Sequence, residues 1–382
     1  MTSHLRRREG FALAVALGAI VVIGGLIVGV LFAATQQYRI GRNTVLQARS
    51  LTAAEYGMNE ILSTTQWNPT WNNAAMGTLV ATRGYSPGDN STDTVRLTSL
   101  GNGAFQLTSE GRAGNVLGAQ GRKRIGALVT LSTIQINILG ALTTKGATKI
   151  GGSSFIDGAD DSVPNWSCPA PGDSMPGIAI NDSTLIQPNG SCSDLSCVQG
   201  SPQVQQSAGA GSDSTYNQFG DLNWTQLTAL ATKTYPGGTL TSIQPSYLAD
   251  GSCNTADALN WGDPYRLLGP AATCGTYYPI IYSSSSLSIT GGAGQGILLV
   301  DGDLSVSGGF EFFGPVIVKG SLKTTGTGGH FTGGVLAENV DLEQNTVLGN
   351  AVITFSSCAL SMALQASATP RLANGRSWAD LY

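Results

Sequence analysis

Apolar positions along the chain fall into three regimes. From Phe11 to Ala34 they form a run of 24 residues without a charge. As a helix this run is about 36 Å long, enough to cross a hydrocarbon core of about 30 Å. A cleaved secretion signal has a shorter apolar core, roughly 7–15 residues before a small-residue cut site, so the run predicts a membrane helix. Beyond it, Val45, Ala48, Leu51, Ala54, Met58 and Ile61 recur at spacings of three and four, and no proline follows Gln36 until Pro69. That periodicity predicts one helix from Phe11 to about Thr64, some 54 residues and about 80 Å, wholly apolar first and amphipathic second. The alternative is a span followed by a separate helix.

The second regime is alternating. "TVRLTSL" (Thr94 to Leu100) and "AFQLTSEG" (Ala104 to Gly111) flank Gly101-Asn102-Gly103, a hairpin signal. A run from Arg122 to Leu139 pairs beside them. Together they predict about three antiparallel strands resting on the second half of the helix.

The third regime is periodic. The runs "IIYSSSS", "LLVDGDL", "VIVKGSL", "VLAENVDL" and "VITFS" begin at 280, 298, 316, 335 and 352, spaced by 18, 18, 19 and 17 residues with glycine-rich stretches between. Short β-branched runs at this period are what stacked β coils need, with a β-sandwich as the alternative. "LTTKGATKIGGSSFIDG" (Leu142 to Gly158) has the same texture and reads as an early coil. The expected organisation is therefore residues 1–10 as leader, 11–66 as the long helix, 67–139 as a small sheet module and 140–382 as a β-solenoid-like domain. An irregular insertion at about 160–279 interrupts the last, with one helix in "DLNWTQLTALAT". The fold class is mainly β with one long N-terminal α-helix.

Composition adjusts this picture. Gly numbers 51 of 382 residues and only 12% are charged, which suits turn-rich β structure outside the cytosol. The net charge of −4 and the absence of a basic stripe beyond Arg6 to Arg8 and Arg122 to Arg124 give no electrostatic case for nucleic acid. Cys168, Cys192, Cys197, Cys253, Cys274 and Cys358 all lie beyond residue 165. An even set confined to one region fits disulfides in an exported domain, with about 15 connectivities open. Cys192 and Cys197 lack the second pair or nearby His that a metal site needs, so neither metal nor cofactor is expected. The positive-inside count ties, with Arg6, Arg7 and Arg8 before the span and Arg39, Arg42 and Arg49 after it. The cysteines and the polar bulk place the C-terminal part on the exported side.

The N-terminus carries a family resemblance. A short basic leader ending in Gly10, then Phe11, then an unbroken apolar run, resembles the class III signal of type IV pilins and pseudopilins. The segment "LTAAEYGMNEIL" is similar to the A-A-E-x-G stretch of PilX-like minor pilins, carried by Ala53, Ala54, Glu55 and Gly57. The resemblance covers roughly the first 65 residues. It implies cleavage after Gly10 by a prepilin peptidase and N-methylation of Phe11. It also implies an inner-membrane subunit whose helix packs among those of other pilins or pseudopilins. Major pilins carry a Glu five residues into the mature chain, thought to pair with a neighbour's N-terminal amine; that position is Val15 here. A buried carboxylate needs a partner, and an apolar residue removes that docking interaction. This favours a low-copy subunit. Gly25-x3-Gly29 allows close helix approach within a membrane.

Candidate chemistry is sparse. His4 lies in the leader, and His330, in "TGGHFTGG", reads as a surface residue in a turn. Asp301 and Asp303, two apart, project to one side, as carboxylates do on solenoids that cut acidic polysaccharides; solvated turn residues are the plainer reading. Asp157, Asp160 and Asp161 offer clustered oxygens without a recognisable Ca²⁺ loop. "GGAGQG" (Gly291 to Gly296) precedes a strand and lacks Lys-Ser/Thr, so it reads as a turn rather than a phosphate loop. No Ser-His-Asp set is visible. The sequence thus points to a non-enzymatic minor pilin exposing a β-rich domain for assembly or adhesion to a host cell, matrix or glycan. The alternatives are a membrane-tethered solenoid binding or acting on polysaccharide and the tip pseudopilin of a type II secretion system.

Overall fold

The computed structural model describes residues 9–63, 67, 71, 74–88, 90–114, 120–132, 134–168, 170–267, 273–339, 346–347, 350–373 and 378–381. The leader residues Arg6 to Arg8 and the Val340 to Leu342 end of the fourth periodic run lie outside them. Two compact units appear, residues 1–131 with 370–382, and residues 132–369.

In the first unit a single helix, α1, runs unbroken over Glu9–Leu62, 54 residues. The alternative of two helices is thereby set aside. Four antiparallel strands follow: β1 (Leu79–Gly88), β2 (Ser91–Gly101), β3 (Ala104–Gly114) and β4 (Gln120–Ser132). They pair in chain order, and the short strands Thr369–Leu372 and Trp378–Asp380 both pair with β4. The β2–β3 turn forms at Gly101-Asn102-Gly103, with φ of +83°, +53° and +70°. The strand expected to reach Leu139 stops at Ser132, and β1 and the two C-terminal strands have no counterpart among the alternating runs.

α1 lies on this sheet through Leu46, Ser50, Ala53, Ala54, Gly57, Met58 and Ile61, all buried. Val95, Leu97, Phe105, Leu107, Ile125 and Val129 fill the sheet side of that core. The approach is close enough to require glycine. A Cβ on Gly121 would run into the Leu46 carbonyl, and one on Gly111 would come within 2.6 Å of the Ala54 amide nitrogen.

The second unit is built from three ladders of parallel strands. In one ladder Ile281, Leu298, Val316 and Val335 are successive register partners. The next rung after Val335 is Leu142, from far earlier in the chain, followed by Ile178 and Val204. A second ladder runs through Leu287, Leu304 and Leu322, and a third through Phe312, Phe331, Ile353 and Ile156. The spatial order is therefore a permutation of the chain order. The chain enters mid-stack at Leu142, builds outward to Val204, returns to the far end at Lys233, and winds back until Val335 docks beside Leu142. Val352, the start of the fifth periodic run, pairs with His330 and Phe155 in the third ladder and not with Val335 in the first.

Inward residues of all three ladders make one continuous core, including Leu298, Val316, Val335, Leu142, Leu304, Phe312 and Ile353. The first ladder is covered on its outer face as well. Ile297, Leu299, Ile317 and Leu336 pack under Ile134, Tyr216, Phe219, Leu227 and the helix Ser357–Ala366. Burial on both faces explains why those runs are continuously apolar instead of alternating. The insertion helix is short, Trp224–Thr228, closed by a reciprocal cap between Asn223 and Gln226.

Candidate assembly face on the N-terminal helix

Among the described residues, α1 alone is long and apolar enough to cross a membrane. Every described side chain from Leu13 to Val45 is exposed, so the apolar half finds no partner among the described residues. Val15 is 55% exposed. A Cβ at Gly25 or Gly29 would meet no atom within 4 Å, leaving both open to a neighbouring helix. Gly10 and Phe11 are the second and third residues of the helix.

The A-A-E-x-G stretch divides by face. Ala53, Ala54 and Gly57 point into the sheet and are buried, while Glu55 stays exposed. Small residues are needed there because the sheet comes in on the helix backbone. Opposite Gly57 sits Asp93 of β2, 3% exposed, whose carboxylate a Cβ on Gly57 would overlap. Its Oδ1 accepts the Tyr85 amide at 3.1 Å, while its Oδ2 is buried without a hydrogen-bond partner. Burial pushes the carboxyl up to about 6, against the smaller opposing effect of the Tyr85 and Asp93 backbone amides and the nearby Ser109 hydroxyl. The aligned runs did not reveal this residue. In "STDTVRL" Asp93 looks like one more polar position, and only the pleat, which turns 91, 93, 95 and 97 inward together, places it under the helix.

The other candidate groups are occupied structurally. Asp303 accepts the Ser321 amide and the Lys323 ammonium, both at 2.8 Å, and Asp301 accepts the Tyr282 hydroxyl at 3.3 Å. They lie at the bend between strands Ile297–Val300 and Leu304–Ser307 and serve different partners. His330 is not in a turn; it lies in the strand Gly329–Asn339, its Nε2 3.1 Å from the Asn350 carbonyl. Gly291 to Gln295 likewise belong to a strand, Leu287–Gln295, which bends where Gly291 and Gly292 take φ of +68° and +95°. Asp160 caps the helix Ser357–Ala366: its oxygens accept the Ser357 amide at 2.8 Å and hydroxyl at 2.6 Å. Asp161 is pushed up by burial first, then by Asp157 and Asp160. Among the described residues no three metal-ligating side chains gather.

The cysteines pair as Cys168–Cys358, Cys192–Cys197 and Cys253–Cys274. Each has a distinct place. Cys192 and Leu195 close the core near Val204, at one end of the stack. The loop held by Cys253–Cys274 carries Trp261, fully buried at the other end against Tyr235, Phe310 and Phe312. Lys233 ties that end rung to the loop, donating to the Thr255 and Asp257 carbonyls, both at 2.6 Å. Cys168–Cys358 links the early half of the stack to the late half.

Comparison with protein-family models and with curated proteins finds no match. Among solved structures, the competence-associated pilin ComZ from Thermus thermophilus aligns over 88% of this chain and 96% of its own, at 11% identity and a TM-score of 0.22.

Proposed function

We propose that the chain is a pilin-type subunit, anchored in the bacterial inner membrane by the first half of α1 and assembled through that half-helix into a type IV pilus or a related pseudopilus. The observation that carries this reading is one unbroken helix whose first half is bare apolar surface and whose second half is sealed under its own sheet. A helix so divided has one face to offer other helices. The leader ending in Gly10-Phe11 and the placement of Ala53, Ala54 and Gly57 under the sheet support the same reading. In this account a prepilin peptidase cuts after Gly10 and Phe11 is methylated. The second unit lies in the periplasm before assembly and outside the cell afterwards, displaying surface to a cell, matrix or glycan. Val15 in place of an acidic residue supports a low-copy, minor position, with the tip of a secretion pseudopilus as the variant of the same idea.

The test is fractionation. Sheared filaments should contain the chain at low abundance, and an Ile27→Asp variant, which puts a charge in the middle of the bare apolar surface, should leave them less populated, since an unpaired carboxylate is costly in lipid and in a helix bundle. Filaments that form in full without the chain, and never contain it, would sink the proposal. The polysaccharide reading has no observation of its own, because the Asp301 and Asp303 carboxylates are engaged.

A further inference from the structure

The stretch of α1 between the apolar run and the sheet carries charge of one sign. From Phe11 to Ala54 there is no Asp or Glu, and the charged residues are Arg39, Arg42 and Arg49. With Leu46 between them they fall on one stripe of the helix. Leu46 is the first residue buried under the sheet, at the point where Gly121 meets its carbonyl. Arg39 and Arg42 therefore lie just membrane-ward of the sheet's end, on the same helix face that the sheet covers.

The sheet's end adds to them. Arg112 of β3 and Arg122 of β4 are register partners, one residue from Ala113 and Gly121, and their side chains are 59% and 64% exposed. Both bind one carboxylate, Glu110, at 2.7 and 2.6 Å, so this trio keeps a net positive charge. By helical rise Arg42 is about 12 Å and Leu46 about 18 Å beyond Ala34. The headgroup layer occupies roughly the first 5–8 Å of that distance, which leaves the sheet's end about one Debye length above it. Tyr38 and Ile40, both exposed, sit at the interfacial depth that aromatic and apolar side chains favour.

We propose that Arg39, Arg42, Arg112 and Arg122 form a basic collar that binds the anionic phosphate headgroups of the leaflet from which α1 emerges, holding the sheet down on the bilayer before assembly. This rests on α1 spanning the membrane. Each arginine near an anionic surface multiplies local affinity about fivefold, and the attraction is screened by salt.

The experiment places the full chain in nanodiscs of phosphatidylcholine alone, or with about a third phosphatidylglycerol, and follows amide exchange over residues 36–50 and 120–126. Exchange should be at least about fivefold slower in the anionic discs. High salt should erase the difference, as should the double substitution Arg112→Gln, Arg122→Gln over residues 120–126, whereas the corresponding Lys pair should keep it. Inorganic phosphate added to neutral discs should change nothing; slowing there would replace the lipid with a free-anion site and overturn the proposal. Equal rates in both discs, with the chain inserted in both, overturn the collar and leave the span intact. Equal rates joined to loss of the Gln variant from filaments would reassign the arginines to a subunit contact. Failure to insert in either disc removes the span itself, and the collar with it.

Discussion

Asp93 and Gly57 decide how tightly the helix and sheet of the first unit can close. A carboxyl with its ordinary value of 3.8 raised to about 6 binds its proton more firmly in the folded chain than in the unfolded one. Below about pH 4 both states are protonated and Asp93 costs nothing. Between about pH 4 and 6 the unfolded chain gives up this proton while the folded chain keeps it, so stability falls across that window and the loss is complete above it. Asp93→Asn is therefore expected to raise the unfolding free energy by about 1–2 kcal/mol at pH 7.5 and by almost nothing at pH 4, read by thermal melts across that range. Gly57→Leu pushes a side chain into the same carboxylate and should cost about 2 kcal/mol or more. Glu55→Gln, two residues away on the exposed face of the helix, should leave the melt unchanged. At this scale Ala54 was legible through the apolar spacing of Val45 to Ile61, whereas Ala53 and Gly57 entered only through the family resemblance and their burial under the sheet was not foreseen. Asp93 was not legible, because nothing local tells an inward aspartate from an outward one.

At the scale of elements, the legible features are those with their own period. α1 ends at Leu62, close to the limit set by the spacing of Val45 to Ile61, and β2 and β3 flank the Gly101-Asn102-Gly103 turn. The rungs at 298, 316 and 335 stack in parallel register. What escaped is pairing between distant segments: Thr369–Leu372 on β4, and Leu142 beside Val335. That second junction is a seam between two separately wound halves of the stack. Beyond its strand pairing it is held by the Cys168–Cys358 disulfide, by Asp160 capping the helix Ser357–Ala366, and by ion pairs joining Glu338 to Lys319 at 2.5 Å and to Lys145 at 3.7 Å. Replacing Cys168 and Cys358 together by Ser should cost about 2–5 kcal/mol, the usual range for a disulfide closing a long loop. Hydrogen exchange should then rise first at Leu142–Thr144 and Val335–Ala337, and a uniform rise across all rungs would argue against a seam. Trp261→Ala removes the plug of one end, and a loss of about 3–5 kcal/mol confined to the second unit is expected in its melting transition.

For the whole molecule, the two units answer different physical demands. The first must present a long apolar helix without collapsing around it, and does so by sealing only the half that carries Leu46 to Ile61. The second must keep parallel strands from pairing onward, and closes both ends of its stack with disulfide loops, consistent with export. We propose that this chain is processed and used as a pilin. Intact mass and N-terminal sequencing of the protein from its native membrane test it most directly. The account predicts a chain beginning at methylated Phe11; a chain beginning at Met1 would contradict it.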